Sequence, residues 1–581
     1  MSTTRALLLL SLTATAPEAS EPAPTRVSIP MRDGVELAGW LLRPETRTPS
    51  PVLVYRTPYG AETAVDAYSI FRAAPARGYA ILAVDVRGRY GSAGEFDPYR
   101  QEGRDGYDTI EWAAAQPWSN GRVGSIGLSY PGAVQWMAAV ETPPHLLAMV
   151  PAMTFSRPTN FWYNGGLTDL SWPPWIWVNI APDVRAKRGL AGPRTVAEGR
   201  ASWPELFRSI EHRLPLSDVP ELRDVAPWYF EWLSHPPDDP WWSWADLTTK
   251  YQRVAAAVLN LSGWHDDPYG PEGALTNHLG LVRSRAGASD PRSELILGPW
   301  VHGIAGMTDR TAQAASGERV FGTAAGIDYD AEILRFMDRH LREERSNAPA
   351  TPRVRVFVMG ENAWRTSDVW PLEGTRLVSW YLSATGEGPR HRLGRAAPRH
   401  EAAVALRSDP GHPVVDPYAG RSGAHDYRAL AERPDVLVFE SEPLAEPLTV
   451  VGAIEAEIFL SVDAPDTDLF VKLFDVAPDG TAWSLMSPGL DGMRASYRDG
   501  RRSLLEPDRV YRLTLPDLLT GNRFDRGHRI RIVITPSFMP HYGVNLHTGE
   551  LETRSAEWRT ATLRVRTGGA HPSRIVLPVV P

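Results

Sequence analysis

One serine in this chain stands where a nucleophile could be made. Gly127-Leu128-Ser129-Tyr130-Pro131-Gly132 follows the short apolar run Val123–Leu128. A serine hydroxyl attacks a carbonyl only when a base takes its proton and a carboxylate orients that base. A sharp strand-to-helix turn exposes such a serine, and small residues must flank it. The usual spacing places glycine two residues after the serine. Here Pro131 holds that position and Gly132 follows, which is compatible because the first turn of a helix tolerates proline. The motif alone is weak; its position after a buried strand gives it weight.

An acid and a base follow in the order this chemistry needs. Ala255–Leu261 runs into Gly263-Trp264-His265-Asp266, and Leu295–Leu297 runs into Gly298-Pro299-Trp300-Val301-His302-Gly303. Each candidate ends an apolar, strand-like run, in the chain order Ser, Asp, His. Ser129, Asp266 and His302 are therefore the expected triad. His265 is the rival base and Asp267 the rival orienting acid. The tetrahedral intermediate also needs donors for its oxyanion. The backbone N–H of Tyr130 is one. Tyr55-Arg56-Thr57-Pro58-Tyr59-Gly60 lies where a second should arise, and Tyr59 could offer its phenol, the other reading being an aromatic packed on the domain. No metal or cofactor is expected, because the histidines are dispersed and lack ligand spacing with carboxylates.

The elements that must position these residues can be read from the pattern. Val52–Tyr55, Ala80–Val84 and Val123–Leu128 are unbroken apolar runs, as in parallel strands buried on both faces. A helical pattern over Gly106–Gln116 separates the last two, so an α/β doubly wound sheet is expected. From residue 154 to 250 tryptophan is dense, prolines recur and no strand-like run appears, which predicts a helical cap. A helix near Ala331–Arg342 should close the core. Beyond, Val354–Met359, Val378–Ser383, Val451–Val462, Leu469–Val476, Arg529–Thr535 and Thr560–Arg566 read as the strands of a C-terminal β-sandwich. The expected division is a tail over 1–23, an α/β-hydrolase core over 24–153 and 251–348, the cap over 154–250 and the sandwich over 349–581.

Composition narrows the function classes. At 581 residues, with 43% apolar and 22% charged residues, the chain is an ordinary folded protein of several domains. The net charge of −8 is spread without a basic run, so neither nucleic acid nor a membrane surface is an expected partner. A small-molecule ester or amide substrate fits better, and no pattern speaks for or against a homo-oligomer. Cysteine is absent, which removes disulfides and thiolate chemistry. Arg5, the apolar Ala6–Leu12 and Ala14-Thr15-Ala16 resemble a signal peptide, although Pro17 is disfavoured after a cut. Export and a cytoplasmic tail both stay open.

Together these residues resemble the cocaine esterase family, grouped with X-prolyl dipeptidyl peptidases, glutaryl acylases and α-amino acid ester hydrolases. The resemblance rests on Arg56-Thr57-Pro58-Tyr59, Asp85-Val86-Arg87-Gly88, Gly91-Ser92-Ala93-Gly94-Glu95-Phe96 and Asp105-Gly106-Tyr107-Asp108-Thr109-Ile110-Glu111-Trp112. It rests equally on the nucleophile segment with Gln135-Trp136 and on the acid and base segments. It implies a hydrolase core, a helical cap and a C-terminal jelly roll, with the Tyr59 hydroxyl beside the Tyr130 amide in the oxyanion hole. The α-amino acid ester hydrolases hold the substrate ammonium with an acidic cluster, partly just after the triad aspartate, whereas Asp267-Pro268-Tyr269-Gly270 carries no acid two or three residues on. Phe155, Phe161, Trp162, Trp172 and Tyr269 could instead line an apolar acyl pocket, or simply pack cap on core. The leading expectation is an ester hydrolase working through an acyl-enzyme. An amide-cleaving acylase or X-prolyl dipeptidyl peptidase is the alternative. A catalytically idle binding protein is the alternative from another class, and the complete triad argues against it.

Overall fold

The computed structural model describes residues 23–46, 48–286, 292–342, 351–385, 390–487 and 491–581. The expected tail or signal-like segment lies outside the described residues except for residue 23.

The core is a ten-stranded sheet built from Thr25–Pro30 (β1), Glu36–Leu42 (β2), Ser50–Thr57 (β3), Ala80–Asp85 (β4), Ser119–Leu128 (β5), Leu146–Ala152 (β6), Ala257–His265 (β7), Ser293–Val301 (β8), Val354–Val358 (β9) and Ala363–Ser367 (β10). Its order is β1-β2-β4-β3-β5-β6-β7-β8-β9-β10. From β4 across to β9 all neighbours are parallel, while β1, β2 and β10 are antiparallel edges.

The unbroken apolar runs have a direct cause. Val52 and Val54 on β3, with Leu82 and Val84 on β4, enter the hydrophobic layer on one face. Leu53 and Tyr55, with Ile81 and Ala83, enter the layer on the other. Side chains alternate across a strand, so a sheet covered twice needs an apolar residue at every position. The helices Glu102–Ala114 and Tyr130–Ala139 supply one cover, and Tyr329–Leu341 supplies part of the other.

Residues 154–250 hold helices and turns and no strand of the sheet, including Trp172–Trp175, Ala181–Arg188, Val196–Ile210 and Pro227–Ser234. Trp162, Trp172, Trp228, Trp232 and Trp242 are buried there in one aromatic cluster that packs on the core. After the core comes a β-rich domain whose twelve strands form one hydrogen-bonded network from Arg376–Ser383 to Arg574–Val580, as a jelly roll would. One expectation is corrected. Val354–Met359 does not open the sandwich; Val354–Val358 pairs in parallel with β8, so the core sheet runs on past residue 349. No helix among the described residues is long and apolar enough to cross a membrane.

Candidate active site

Ser129 sits in the turn between β5 and the helix Tyr130–Ala139, with φ +67° and ψ −126°. Such backbone is unfavourable for a residue with a Cβ and persists only where the surroundings hold it. Three contacts do so: the Ser129 N–H donates to the Ala152 carbonyl, and the Gly132 and Ala133 N–H groups donate to the Ser129 carbonyl, each at 2.9 Å. The flanking glycines are needed for space. A Cβ on Gly127 would lie 2.5 Å from Pro131 Cβ, and one on Gly132 would lie 2.7 Å from the Ala152 carbonyl oxygen. The close approach therefore falls three residues after the serine, which is why Pro131 can stand where glycine is usual.

Asp266 and His302 follow from the ends of β7 and β8. His302 Nδ1 lies 2.7 Å from Asp266 Oδ1, and the Ser262 hydroxyl donates to Asp266 Oδ2 at 2.8 Å. The carboxylate is fully buried, whereas the imidazole keeps 24% of its surface exposed. The acid is sealed and the ring is open to the cavity. His265 points elsewhere: its Nδ1 is 3.2 Å from Ser316 Oγ and its Nε2 is 3.4 Å from the Ser484 carbonyl. Burial holds its pKa down to about 4, as for a neutral packing residue. Asp267 is also buried, and burial pushes its carboxyl up to about 6.

A cavity of about 860 Å³ is lined by Ser129, His302, Tyr59, Phe161, Trp172 and Tyr269 among others. Tyr59 lies on the turn after β3, where its N–H donates to Thr57 Oγ1 and Asp85 accepts from the Ala61 N–H. Burial raises the Tyr59 phenol well above the usual tyrosine range, so it stays protonated and able to donate. Tyr269 reaches the same serine, and burial pushes its phenol up to about 12. The Tyr130 side chain is committed behind the wall. Its hydroxyl donates to Glu102 at 2.7 Å and accepts from the Tyr99 N–H at 3.1 Å, while Glu102 pairs with buried Arg56. Its backbone N–H, in the first turn of a helix, is one of the donors without an intrahelical acceptor.

Of the expected pocket residues, Phe161, Trp172 and Tyr269 reach the cavity. Phe155 and Trp162 are packed behind it, Phe155 with its ring 4.5 Å from Phe161 and Trp162 among Trp172, Tyr229, Trp232 and Trp242. Several wall residues escaped the sequence reading, one of them charged and buried. Asp169, in the cap, lines the cavity and is only 6% exposed. The Ser171 N–H donates to it at 2.7 Å, and among the described residues no cation pairs with it. Burial pushes its carboxyl up to about 6. An acid inside a tryptophan-rich stretch gives no periodic signal that would single it out.

Comparison with known proteins shows the family of the chain. Residues 33–304 match the family model of the X-Pro dipeptidyl-peptidase (S15 family), and residues 346–576 match that of the X-Pro dipeptidyl-peptidase C-terminal non-catalytic domain. Cocaine esterase of Rhodococcus sp. (strain MB1 Bresler) is 32% identical, with 96% of this chain and 98% of that protein covered. The chain belongs to the cocaine esterase and X-Pro dipeptidyl-peptidase (S15) family. Among solved structures of similar fold, an aminopeptidase from a marine-sediment Thaumarchaeota archaeon is 26% identical, with a TM-score of 0.80 and 98% of each chain covered. An α-amino acid ester hydrolase shares the fold with a TM-score of 0.75 at 23% identity, covering 98% of this chain and 99% of that one. As a member of this family the chain is a serine hydrolase, an esterase or a peptidase.

Proposed function

We propose that this S15-family hydrolase cleaves a carboxylic ester through an acyl-enzyme formed on Ser129. The observation that carries the reading is the 2.7 Å contact between His302 Nδ1 and sealed Asp266, on the wall that also presents the strained Ser129 turn. Asp266 holds the Nδ1 proton and leaves Nε2 as the base. Ser129 Oγ attacks the ester carbonyl and gives its proton to His302. The Tyr59 hydroxyl and the Tyr130 N–H donate to the oxyanion that forms. Collapse of the intermediate expels the alcohol, which takes the proton from His302. Water, deprotonated by His302, then attacks the acyl-Ser129 ester by the same route and releases the acid. Phe161, Trp172 and Tyr269 offer the apolar wall for the acyl group.

A second reading, cleavage of a peptide amide behind a free N-terminus, gains support from Asp169. A buried carboxylate without a cation of its own can be satisfied by a substrate ammonium. The first test compares p-nitrophenyl butyrate hydrolysis by the wild type and by Ser129→Ala in matched, folded preparations. The expected loss is on the order of 10³-fold or more. Equal activity in the two proteins would sink the assignment of Ser129.

A further inference from the structure

The phenol of Tyr59 is not held by the core alone. The Trp175 indole Nε1–H donates to the Tyr59 hydroxyl oxygen at 3.0 Å, and Trp175 belongs to the cap. An indole N–H can only donate, and a phenol has one proton of its own. With Trp175 as donor, the Tyr59 oxygen is the acceptor in that bond, and its own proton is left to turn into the cavity. A hydroxyl that accepts one hydrogen bond is also the stronger donor of the next. Trp175 thus sets both the direction and the strength of the Tyr59 donor.

The indole itself is fixed on several sides. Its ring lies nearly parallel to that of Tyr130, at 14° and 6.2 Å, and edge-on to Trp172 at 5.3 Å and Trp228 at 6.0 Å. Just beyond it the chain makes a π-helical turn, Ile176–Ile180, before the helix Ala181–Arg188. Such wide turns are rare and recur at functional sites.

A single buried cation ties this turn to the Tyr59 loop. Arg89 is fully buried; its Nε donates to the Pro58 carbonyl at 2.9 Å, next to Tyr59. Its Nη1 donates to the Ile180 carbonyl at 2.8 Å and its Nη2 to the Asn179 carbonyl at 3.0 Å. Asp183, on the following helix, lies 3.6 Å from the same guanidinium. The rigid fork of an arginine fixes both partners at once, which a lysine ammonium would not do. The loop that carries Tyr59 and the cap segment that carries Trp175 are therefore clamped at two points, one where Arg89 joins Pro58 to the turn after Trp175 and one at the two side chains.

We propose that the cap aims the oxyanion hole: Trp175 is a positioning residue for the Tyr59 hydroxyl, and Arg89 holds the two segments in register. This rests on the reading of Tyr59 as an oxyanion donor. Packing that merely closed a pocket would need neither the N–H bond nor the three carbonyl contacts.

The test is a double-mutant cycle with p-nitrophenyl butyrate on the full chain. Tyr59→Phe alone should lower kcat by roughly 10²-fold or more, as removal of an oxyanion donor does. Trp175→Phe, which keeps an aromatic ring without the N–H, should lower kcat by about 10-fold, the order of one hydrogen bond, with KM within about 2-fold. In the Tyr59→Phe background the same change should cost less than about 2-fold, because the bond it removes no longer exists. Arg89→Lys should follow the same pattern. Should Trp175→Phe fold poorly, benzothienylalanine at position 175, which replaces only the N–H with sulfur, takes its place with the same expected values. If Tyr59→Phe has no effect, the oxyanion reading itself falls. If Tyr59→Phe is damaging but the Trp175 change is silent, acts on KM alone, or costs as much in both backgrounds, Trp175 is only wall and the proposal is overturned.

Discussion

Replacing Tyr130 by phenylalanine separates two roles that one residue could hold. In the proposed mechanism Tyr130 serves through its backbone N–H, which the substitution leaves in place. Its phenol instead bonds Glu102 Oε1 at 2.7 Å and receives the Tyr99 N–H at 3.1 Å, both buried. Removing the hydroxyl leaves a carboxylate oxygen and a backbone donor without these partners. A hydrogen bond to a charged group contributes about 1.5–3 kcal/mol, and an unsatisfied buried donor costs about 1–3 kcal/mol. Glu102 keeps its ion pair with Arg56, so no naked charge is created. The expected destabilisation is about 3–5 kcal/mol, a fall in the unfolding midpoint on the order of 10 °C for a domain of this size. At 25 °C, where the variant stays folded, kcat for p-nitrophenyl butyrate should change by less than about 5-fold, since no group that touches the intermediate is lost. Thermal unfolding followed by circular dichroism, with steady-state kinetics on the same preparation, reads both numbers. An unchanged midpoint with a kcat loss of about 10³-fold would refute the reasoning and make the Tyr130 phenol the donor.

Further outcomes follow from the same geometry. His302→Ala should abolish ester hydrolysis by about 10³-fold or more, whereas His265→Gln should keep kcat within about 5-fold and lower the unfolding midpoint; the reverse ranking would exchange the two histidines. Gly132→Ala brings a Cβ within 2.7 Å of the Ala152 carbonyl and must shift the Ser129 turn, so kcat should fall about 10²-fold in a folded protein. Asp169→Asn should raise KM for an Xaa-Pro-p-nitroanilide about 10-fold at pH 8 and leave p-nitrophenyl butyrate unaffected; equal effects on both would remove Asp169 as an ammonium anchor. In the wild type that KM should also rise as pH falls through about 6, where the Asp169 carboxyl becomes neutral. The stability sign is opposite. A carboxyl held above its unfolded value stabilises below that value and loses the contribution as pH rises through about 6, so Asp169→Asn should stabilise the protein at pH 8, by at most about 3 kcal/mol, and not at pH 3.

What the sequence made legible is what a parallel sheet forces on it. Strands covered on both faces must be apolar at every position, so β3, β4, β5, β7 and β8 stood out, and the candidate nucleophile, acid and base lie at their ends. Val354–Val358 shows the limit of this signal. A short apolar run followed by turn residues reads alike whether it joins a core sheet or opens a sandwich, and only pairing with Leu295–Leu297 decides. The pocket wall was less legible for a related reason. In an aromatic cluster every ring looks equally able to face a substrate, yet Phe161 and Trp172 face the cavity while Phe155 and Trp162 pack behind them.

Two residues that escaped the sequence reading share a property. Trp175 and Arg89 act through partners far away in the chain: Trp175 meets Tyr59 across 116 residues, and Arg89 meets Ile180 across 91. No local period encodes such contacts. The division has a functional logic. The core elements fix the proposed nucleophile, acid and base by strand geometry, which tolerates little change. The cap supplies part of the wall, the buried Asp169 carboxylate and the bond proposed to orient Tyr59. A change in the cap can therefore alter both which acyl group fits and how well its oxyanion is held, leaving Ser129, Asp266 and His302 where they are. Within one fold, substrate preference and turnover should then vary together through cap residues, and Trp175→Phe and Asp169→Asn probe the two halves of that coupling separately.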